Sequence, residues 1–226
     1  MLQNQYTMTI PFERQRIPIF PLNTVLFPGK SMPLQIFEPR YKTMIEYCIN
    51  TESHFGIVLI KSGRETEQNP ISYSVGTLAK ITSVKNYLND RFLITINGTQ
   101  TFNIIETFSD NQYLTADVSI HHNKLEPVNN AIVKIAKNKM AEYIRYIIGL
   151  SGGWVSNEFD PTPSHTANLC YFMAESLELS LKQKQTILEE TSDTARLSNC
   201  MTHLEHKASA ISIQLELMLI YKFSRQ

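Results

Sequence analysis

The segment Pro28-Gly29-Lys30-Ser31 ends in the way that a phosphate-binding loop ends, where backbone amides and a lysine surround a phosphate. The complete pattern, GxxxxGK[ST], requires a glycine at position 24, where Thr24 stands. The residues that follow Thr24, Val25–Phe27, are too bulky to let backbone amides approach a phosphate. We therefore interpret the segment as a turn between two strands, and we expect no nucleotide or other cofactor.

Cys200, His203 and His206 are three potential metal ligands at spacings of three residues. On a helix the outer two side chains diverge by about 120°. Zinc normally requires a closed set of four ligands, and the sequence indicates no fourth. We therefore predict no metal site, and we expect the two histidines to be exposed to solvent on either side of the apolar stripe of a helix.

Candidate nucleophiles and acids have no supporting context. The pattern GxSxG is absent, and Cys48, which could pair with His54, belongs to an apolar helical pattern typical of inert packing. Glu38 and Arg40 flank Pro39, but a lone carboxylate lacks the second group that acid-base catalysis usually employs. We expect Glu38 to accept from free helix amides and Arg40 to tie the turn to neighbouring strands. No catalytic residue is predicted.

The composition excludes several classes of partner. The 226 residues include 21 lysines and arginines and 21 aspartates and glutamates, so the formal charge is zero. Such a chain has no long-range field that attracts nucleic acid or an anionic membrane. No run of eighteen apolar residues and no leader pattern is present, and the three cysteines are widely spaced. We expect a cytoplasmic protein with reduced cysteines.

The first half of the chain has the pattern of a β domain. After a tail of residues 1–16, short runs rich in β-branched and aromatic residues alternate with Pro, Gly and Asn. Asn97-Gly98 predicts a tight hairpin, because both residues tolerate a positive φ. Pro39 predicts the start of one inserted helix. The predicted domain spans residues 17–124, with strands at 17–22, 33–37, 55–60, 75–84, 91–97, 101–108 and 113–120.

The second half, residues 125–226, changes to the 3.6-residue period of helices. Ser180 and Gln183 have the spacing of a capping box at the start of one of them. The last helix is long and carries apolar residues at alternating spacings of four and three, which we call the heptad stripe. This stripe either docks on a partner or packs on the preceding helices, and its members are Leu197, Met201, Leu204, Ala208, Ile211, Leu215 and Met218.

Two motifs in the first half resemble the N-terminal, substrate-recognising domain of the Lon protease family. The family pattern P-L-x-x-x-x-F-P corresponds here to Pro21, Leu22, Phe27 and Pro28, and the pattern I-F-E-P-R-Y corresponds to residues 36–41. In the helical half, the segment LSLKQKQTILE and the following Arg196-Leu197 are also similar to the family. The motif residues are Pro21, Phe27, Pro28, Phe37, Glu38, Pro39, Arg40 and Tyr41.

The resemblance implies an α+β fold, in which a PUA-like, mostly antiparallel β barrel with one inserted helix precedes a helical bundle. It also implies a non-enzymatic module that binds polypeptide substrates. ATP-dependent peptidase activity is not expected, because these 226 residues contain neither Walker motifs nor the Ser/Lys peptidase domain. Two alternatives remain open: an adaptor that self-associates or binds a partner protein through the heptad stripe, and an RNA-binding protein of the PUA-like class.

Overall fold

A computed structural model describes residues 14–67, 69–87, 91–109, 112–121, 124 and 127–223. The chain divides into two compact units. The first comprises residues 1–26 and 30–121, and the second comprises 27–29 and 122–226. The second unit thus takes Phe27–Gly29 from the middle of the predicted β domain. Of the predicted tail, residues 1–13 lie outside the described part, and the first strand already begins at Gln15.

The first unit is a barrel with an added strand. Five strands form a closed ring, because each one pairs with the next and the last pairs again with the first. One of the described ladders is parallel, and the others are antiparallel. The strands of the unit are β1 (Gln15–Leu22), β2 (Ser31–Ile36), β3 (Phe55–Ser62), β4 (Ile71–Tyr87), β5 (Arg91–Phe108) and β6 (Thr115–Ile120).

Strand β1 is buried on both faces from Ile17 to Leu22, because it separates two apolar clusters. Ile17 and Ile19 belong to a cluster centred on Phe102, whereas Phe20 and Leu22 belong to one that includes helix α1. Phe102 is fully buried, and its ring occupies space left by two glycines. A Cβ atom on Gly76 would lie 2.5 Å from the carbonyl oxygen of Ile57 and 2.7 Å from Cζ of Phe102.

The predicted hairpin at Asn97-Gly98 is wrong, because residues 91–108 form one continuous strand. The first half of β5 pairs with β2 and with the end of β4, whereas its second half pairs with the start of β4 and with β6. Asn97 is paired with both Ser31 and Lys80, and the amide of Gly98 donates to the carbonyl of Lys30 at 2.8 Å. Pairing on both sides therefore outweighs the local turn preference of the dipeptide.

Helix α1 (Pro39–Asn50) begins with proline in its first turn, as the sequence predicts. Its residues Tyr41, Met44, Ile45 and Cys48 are buried in the cluster with Phe20, whereas Ile49 is 40% exposed. The helix covers one side of the sheet with an apolar stripe, which is why its apolar spacing of three and four residues is so regular.

The second unit contains four helices in its described residues. They are α2 (Asn130–Leu150), α3 (Thr166–Ser176), α4 (Leu181–Glu189) and α5 (Asp193–Phe223). Helix α4 starts with the predicted capping box, because Ser180 Oγ accepts from the Gln183 amide and the Gln183 side chain accepts from the Ser180 amide. Helix α5 packs on α2 and α3. None of the described helices is both long and apolar enough to cross a membrane.

Candidate functional site

The turn between β2 and α1 is held by Arg40. Its Nε donates to the carboxylate of Glu38 at 2.9 Å, and its two terminal nitrogens donate to the carbonyl oxygens of Glu65 and Glu67, each at 2.7 Å. The planar fork of the guanidinium makes these separate contacts possible. The Glu38 side chain makes no capping bond to α1, contrary to expectation, because it accepts from Arg40 instead.

Tyr41 anchors this turn in the core. It is only 4% exposed, and its ring stacks on that of Phe20 with centroids 3.9 Å apart. The guanidinium of Arg40 lies 4.5 Å from the centroid of the same ring. Burial raises the pKa of Tyr41 to about 12, and this effect exceeds the opposing influence of Arg40. The tyrosine is therefore a neutral packing group and not a general base.

Beside the turn lies a pocket of about 280 Å³. Apolar side chains from β1, β2 and α1 form most of its wall, and polar residues such as Asn23 and Thr24 complete it. Phe37 lines the pocket while remaining 57% exposed, so it stands at the mouth. The lining residues are Phe20, Leu22, Asn23, Thr24, Leu34, Gln35, Ile36, Phe37, Glu38, Tyr41 and Glu65.

Glu65 is a pocket residue that the sequence does not reveal. Its Oε1 accepts from the backbone amide of Asn23 at 2.6 Å, which fixes the carboxylate against the wall. In the sequence it is one acidic residue in the polar stretch 61–70, where an acidic residue is normally solvated. Its place at the pocket follows from the loop fold, which the carbonyl contacts with Arg40 stabilise.

Strand β2 borders the pocket and pairs on one side only, with β5, in the described part of the sheet. In an antiparallel ladder every second residue bonds to the neighbouring strand, and the bond from the Gly98 amide to the Lys30 carbonyl shows that Lys30 is one of these residues. Ser31, Pro33 and Gln35 therefore direct their backbone groups to the free edge. Proline has no N–H to donate there. The edge is thus poorly suited to accepting another strand, and contacts at this surface depend on side chains.

The other motif residues do not line the pocket. Pro21 is buried in β1 and pairs with Val58. Phe27 is fully buried in the second unit, where its ring stacks on Tyr171 with centroids 5.1 Å apart. Pro28 is half-buried and leads into Gly29, whose φ of +77° makes the turn before β2. These residues build the fold, whereas five residues of the two family patterns line the pocket: Leu22, Ile36, Phe37, Glu38 and Tyr41.

The candidate nucleophile lies in a different place. Cys48 and His54 line a second pocket of about 510 Å³, but Cys48 is only 1% exposed. Burial raises the pKa of its thiol to about 12, and burial together with Lys80 lowers the pKa of His54. A thiol in this state forms almost no thiolate near neutrality, so it is a poor nucleophile.

The candidate metal ligands do not converge. Cys200 is fully buried, and its Sγ donates to the carbonyl oxygen of Cys170 at 3.4 Å. His203 is half-buried and His206 is exposed. Among the described residues, no group of three or more His, Cys, Asp or Glu side chains is arranged to hold a metal ion.

The heptad stripe of α5 turns inward over most of its described length. Leu197 and Leu204 are each 1% exposed and Ile211 is 9% exposed, while Met201 and Ala208 are half-buried. All five side chains are therefore at least partly buried within the chain itself. The side chains of Leu215 and Met218 lie outside the described part of the chain.

A different face of α5 is exposed near its C-terminal end. We call it the exposed stripe, and it consists of Ile213, Leu217, Ile220 and Tyr221. Each of these side chains is between 58% and 66% exposed. Their spacing places them on one side of the helix. Apolar side chains in such a continuous patch commonly mark a surface that another molecule covers.

Comparisons with known proteins agree on one family. The family model described as the ATP-dependent protease La (LON) substrate-binding domain matches residues 16–206. Lon protease 2 of Myxococcus xanthus is 23% identical over 203 residues, which are 88% of this chain and 24% of the relative. Lon protease of Anaeromyxobacter dehalogenans is 23% identical over 202 residues, with coverages of 87% and 24%. The chain thus spans about a quarter of the length of these relatives.

Solved structures share the fold. A Lon N-terminal domain protein from Xanthomonas campestris is similar with a TM-score of 0.61 and 22% identity, over 83% of this chain and 98% of the other. The N-terminal domain of a Mycobacterium avium complex Lon protease gives a TM-score of 0.64 at 17% identity, with coverages of 84% and 98%. The α+β architecture predicted from the sequence is confirmed by these neighbours.

Proposed function

The chain belongs to the family of ATP-dependent protease La (LON) substrate-binding domains, and we propose that it binds polypeptides without performing chemistry on them. The observation that carries this proposal is the pocket beside the β2–α1 turn. Its wall is mainly apolar, a few fixed polar groups complete it, and Phe37 is exposed at its mouth. Binding sites typically combine these features, and exposed aromatic residues are common anchors in protein interfaces.

Side chains of the polypeptide would supply most of the contacts at this site. Pro33 removes a donor from the free edge of β2, so the addition of a polypeptide strand there is disfavoured. Unfolded segments expose apolar side chains, and burying one of them in the pocket removes apolar surface from water. The proposed partner is therefore an unfolded or extended polypeptide with exposed apolar residues.

Titration of a fluorescently labelled, chemically unfolded protein tests the proposal by anisotropy. We expect the Phe37→Ala variant to bind about fivefold more weakly, because an exposed aromatic anchor is lost. Tyr47→Ala is the matched control, since Tyr47 is also an exposed aromatic residue of this unit but does not line the pocket. The absence of binding by the wild type at tens of micromolar would overturn the proposal, and so would equal losses in both variants.

Self-association through the exposed stripe is a second candidate function. Ile213 and Tyr221 lie four residues before and after Leu217, so two antiparallel copies of the helix would bring the same residues together. Each side chain offers on the order of 100 Å² of apolar surface. Two copies would then bury on the order of 800 Å² in total, which is less than the roughly 1,200 Å² at which stable specific interfaces begin. Association should therefore be weak and should depend on concentration.

Light scattering over a range of concentrations tests this second function. We expect the mass of the wild type to rise toward that of a dimer and Leu217→Glu to remain monomeric, because a charge would be placed in the interface. Thr202→Glu introduces the same charge at an exposed position of α5 that lies eleven residues before Ile213, away from the stripe, and it should behave as the wild type. A wild type that is monomeric at every concentration would rule out self-association.

A further inference from the structure

The charged side chains that line the β2–α1 pocket are all acidic. Its lining contains two carboxylates, Glu38 and Glu65, and no lysine, arginine or histidine. Glu38 is neutralised by the adjacent Arg40, at 2.9 Å. The three charges together leave one negative charge, which belongs to Glu65. The wall of the pocket is therefore mainly apolar, and its net charge is negative.

The carboxylate of Glu65 has an unused oxygen. Oε1 accepts from the amide of Asn23, while Oε2 has no partner among the described residues. An ionised carboxylate can accept several hydrogen bonds, and a cationic donor forms the stronger kind. The residue is half-buried, so an ion pair at this place is less screened by water than one on an open surface.

The apolar part of the pocket suits the stem of a long cationic side chain. Lysine and arginine bury their methylene groups along apolar surfaces while keeping the charged group near polar partners. Leu34 and Phe37 supply such a surface, and the ring of Phe37 is exposed enough to face a cation. Arg40 is committed to Glu38 and to two carbonyl oxygens, so it does not occupy this place itself.

We propose that this pocket receives a lysine or arginine side chain of the bound polypeptide, with the cation at Glu65 and the methylene stem against Leu34 and Phe37. This inference rests on the proposed function and adds a preference to it: polypeptides with a basic residue among apolar ones bind better than purely apolar polypeptides. The acidic character comes from a residue of the loop after β3, and the apolar character comes from β1, from β2 and the turn that follows it, and from α1.

Matched peptides provide the test. The probes are short fluorescein-labelled peptides of leucine, alanine and serine that differ at one position, which holds lysine, arginine, norleucine or glutamate. Norleucine keeps the length of the lysine stem and removes its charge. We expect the lysine and arginine peptides to bind about fivefold more tightly than the norleucine peptide, and the glutamate peptide to bind most weakly.

Two variants assign the preference to one carboxylate. Glu65→Gln keeps an acceptor for the Asn23 amide and removes the charge, so it should abolish the preference for lysine over norleucine. Glu67→Gln is the control, because Glu67 is exposed in the same loop and lies outside the pocket lining. It should retain the full preference. Raising the ionic strength should also reduce the preference of the wild type, which tests the charge contribution without a substitution.

The outcomes separate this inference from the proposed function. Equal or tighter binding of the norleucine peptide by the wild type overturns the inference and leaves polypeptide binding intact. Retention of the lysine preference by Glu65→Gln also overturns it. If no peptide binds and an unfolded protein does not bind either, the proposed function fails and the inference fails with it.

Discussion

Each compact unit contains an arginine that ties a loop to the start of a helix. Arg40 in the first unit donates to the carboxylate of Glu38 and to two backbone carbonyl oxygens, and it lies over the ring of Tyr41. Arg196 in the second unit has the same kinds of partner, and it lies 5.1 Å from the ring centroid of Tyr171. The two sets of contacts are chemically almost identical.

Their burial differs. The side chain of Arg40 is 17% exposed, whereas that of Arg196 is fully buried. Arg196 donates to the Asp193 carboxylate and to the carbonyl oxygens of Ile187 and Glu190. When a buried ion pair loses one member, the remaining polar groups have no water to replace it. We infer that burial, more than the number of contacts, determines how strongly each unit depends on its arginine.

Arg196→Ala should produce the largest effect. The substitution leaves a cavity where a fully buried side chain was, and it removes the donor from the buried carbonyl oxygen of Ile187, from the partly buried carbonyl oxygen of Glu190 and from the Asp193 carboxylate. We therefore expect a loss of about 3 to 5 kcal/mol in the free energy of unfolding. Chemical denaturation followed by circular dichroism at the helical band measures it. Lys182→Ala removes an exposed cation from the same unit and should change stability by less than about 0.5 kcal/mol. A loss below about 1 kcal/mol for Arg196→Ala would show that burial of this arginine does not make the second unit depend on it.

Gly76→Ala tests the packing of the first unit, because its barrel depends on close packing and not on a buried charge. The new Cβ would lie 2.5 Å from the backbone oxygen of Ile57, so we expect a loss of about 2 kcal/mol from overpacking. Gly149→Ala in the second unit is the matched control, since no atom lies within 4 Å of its Cβ position. It should be neutral or slightly stabilising in the same denaturation experiment. Equal losses of stability in both variants would show that the conformational freedom of glycine, and not the lack of room for a Cβ atom at Gly76, explains the result.

Arg40→Ala should produce the smallest effect. Water can reach the groups that lose their donor, so we expect a loss of about 1 to 2 kcal/mol. Hydrogen exchange should increase mainly in the loop around Glu65 and Glu67, whose carbonyl oxygens Arg40 binds. A loss as large as that of Arg196→Ala would mean that burial does not control the difference between the two arginines.

Local chemistry made much of the fold predictable. Proline at position 39 marks a helix start, because its missing N–H has no intrahelical partner there in any case. The capping box of Ser180 and Gln183 is equally local, since both hydrogen bonds join residues three positions apart. The change from strand to helix patterns likewise depends on neighbouring residues alone. The residues that determine these features lie within a few positions of one another in the chain.

The candidate site was only partly predictable. The family motif includes the turn at residues 36–41, of which Ile36, Phe37, Glu38 and Tyr41 line the pocket. Glu65 was missed, because nothing near it in the sequence distinguishes it from a solvated acid. Its position depends on Arg40, which lies 25 residues earlier in the chain.

By itself the sequence determined the family, the division into strands and helices, and the local starts of α1 and α4. Only the tertiary structure decided that Asn97-Gly98 lies within a continuous strand, because two neighbouring strands pair with it there. The tertiary structure also decided that the heptad stripe faces the bundle as far as Ile211, leaving Leu217 on the exposed face. Both outcomes depend on contacts between residues distant in the chain, and periodicity alone does not specify which surface covers an apolar face.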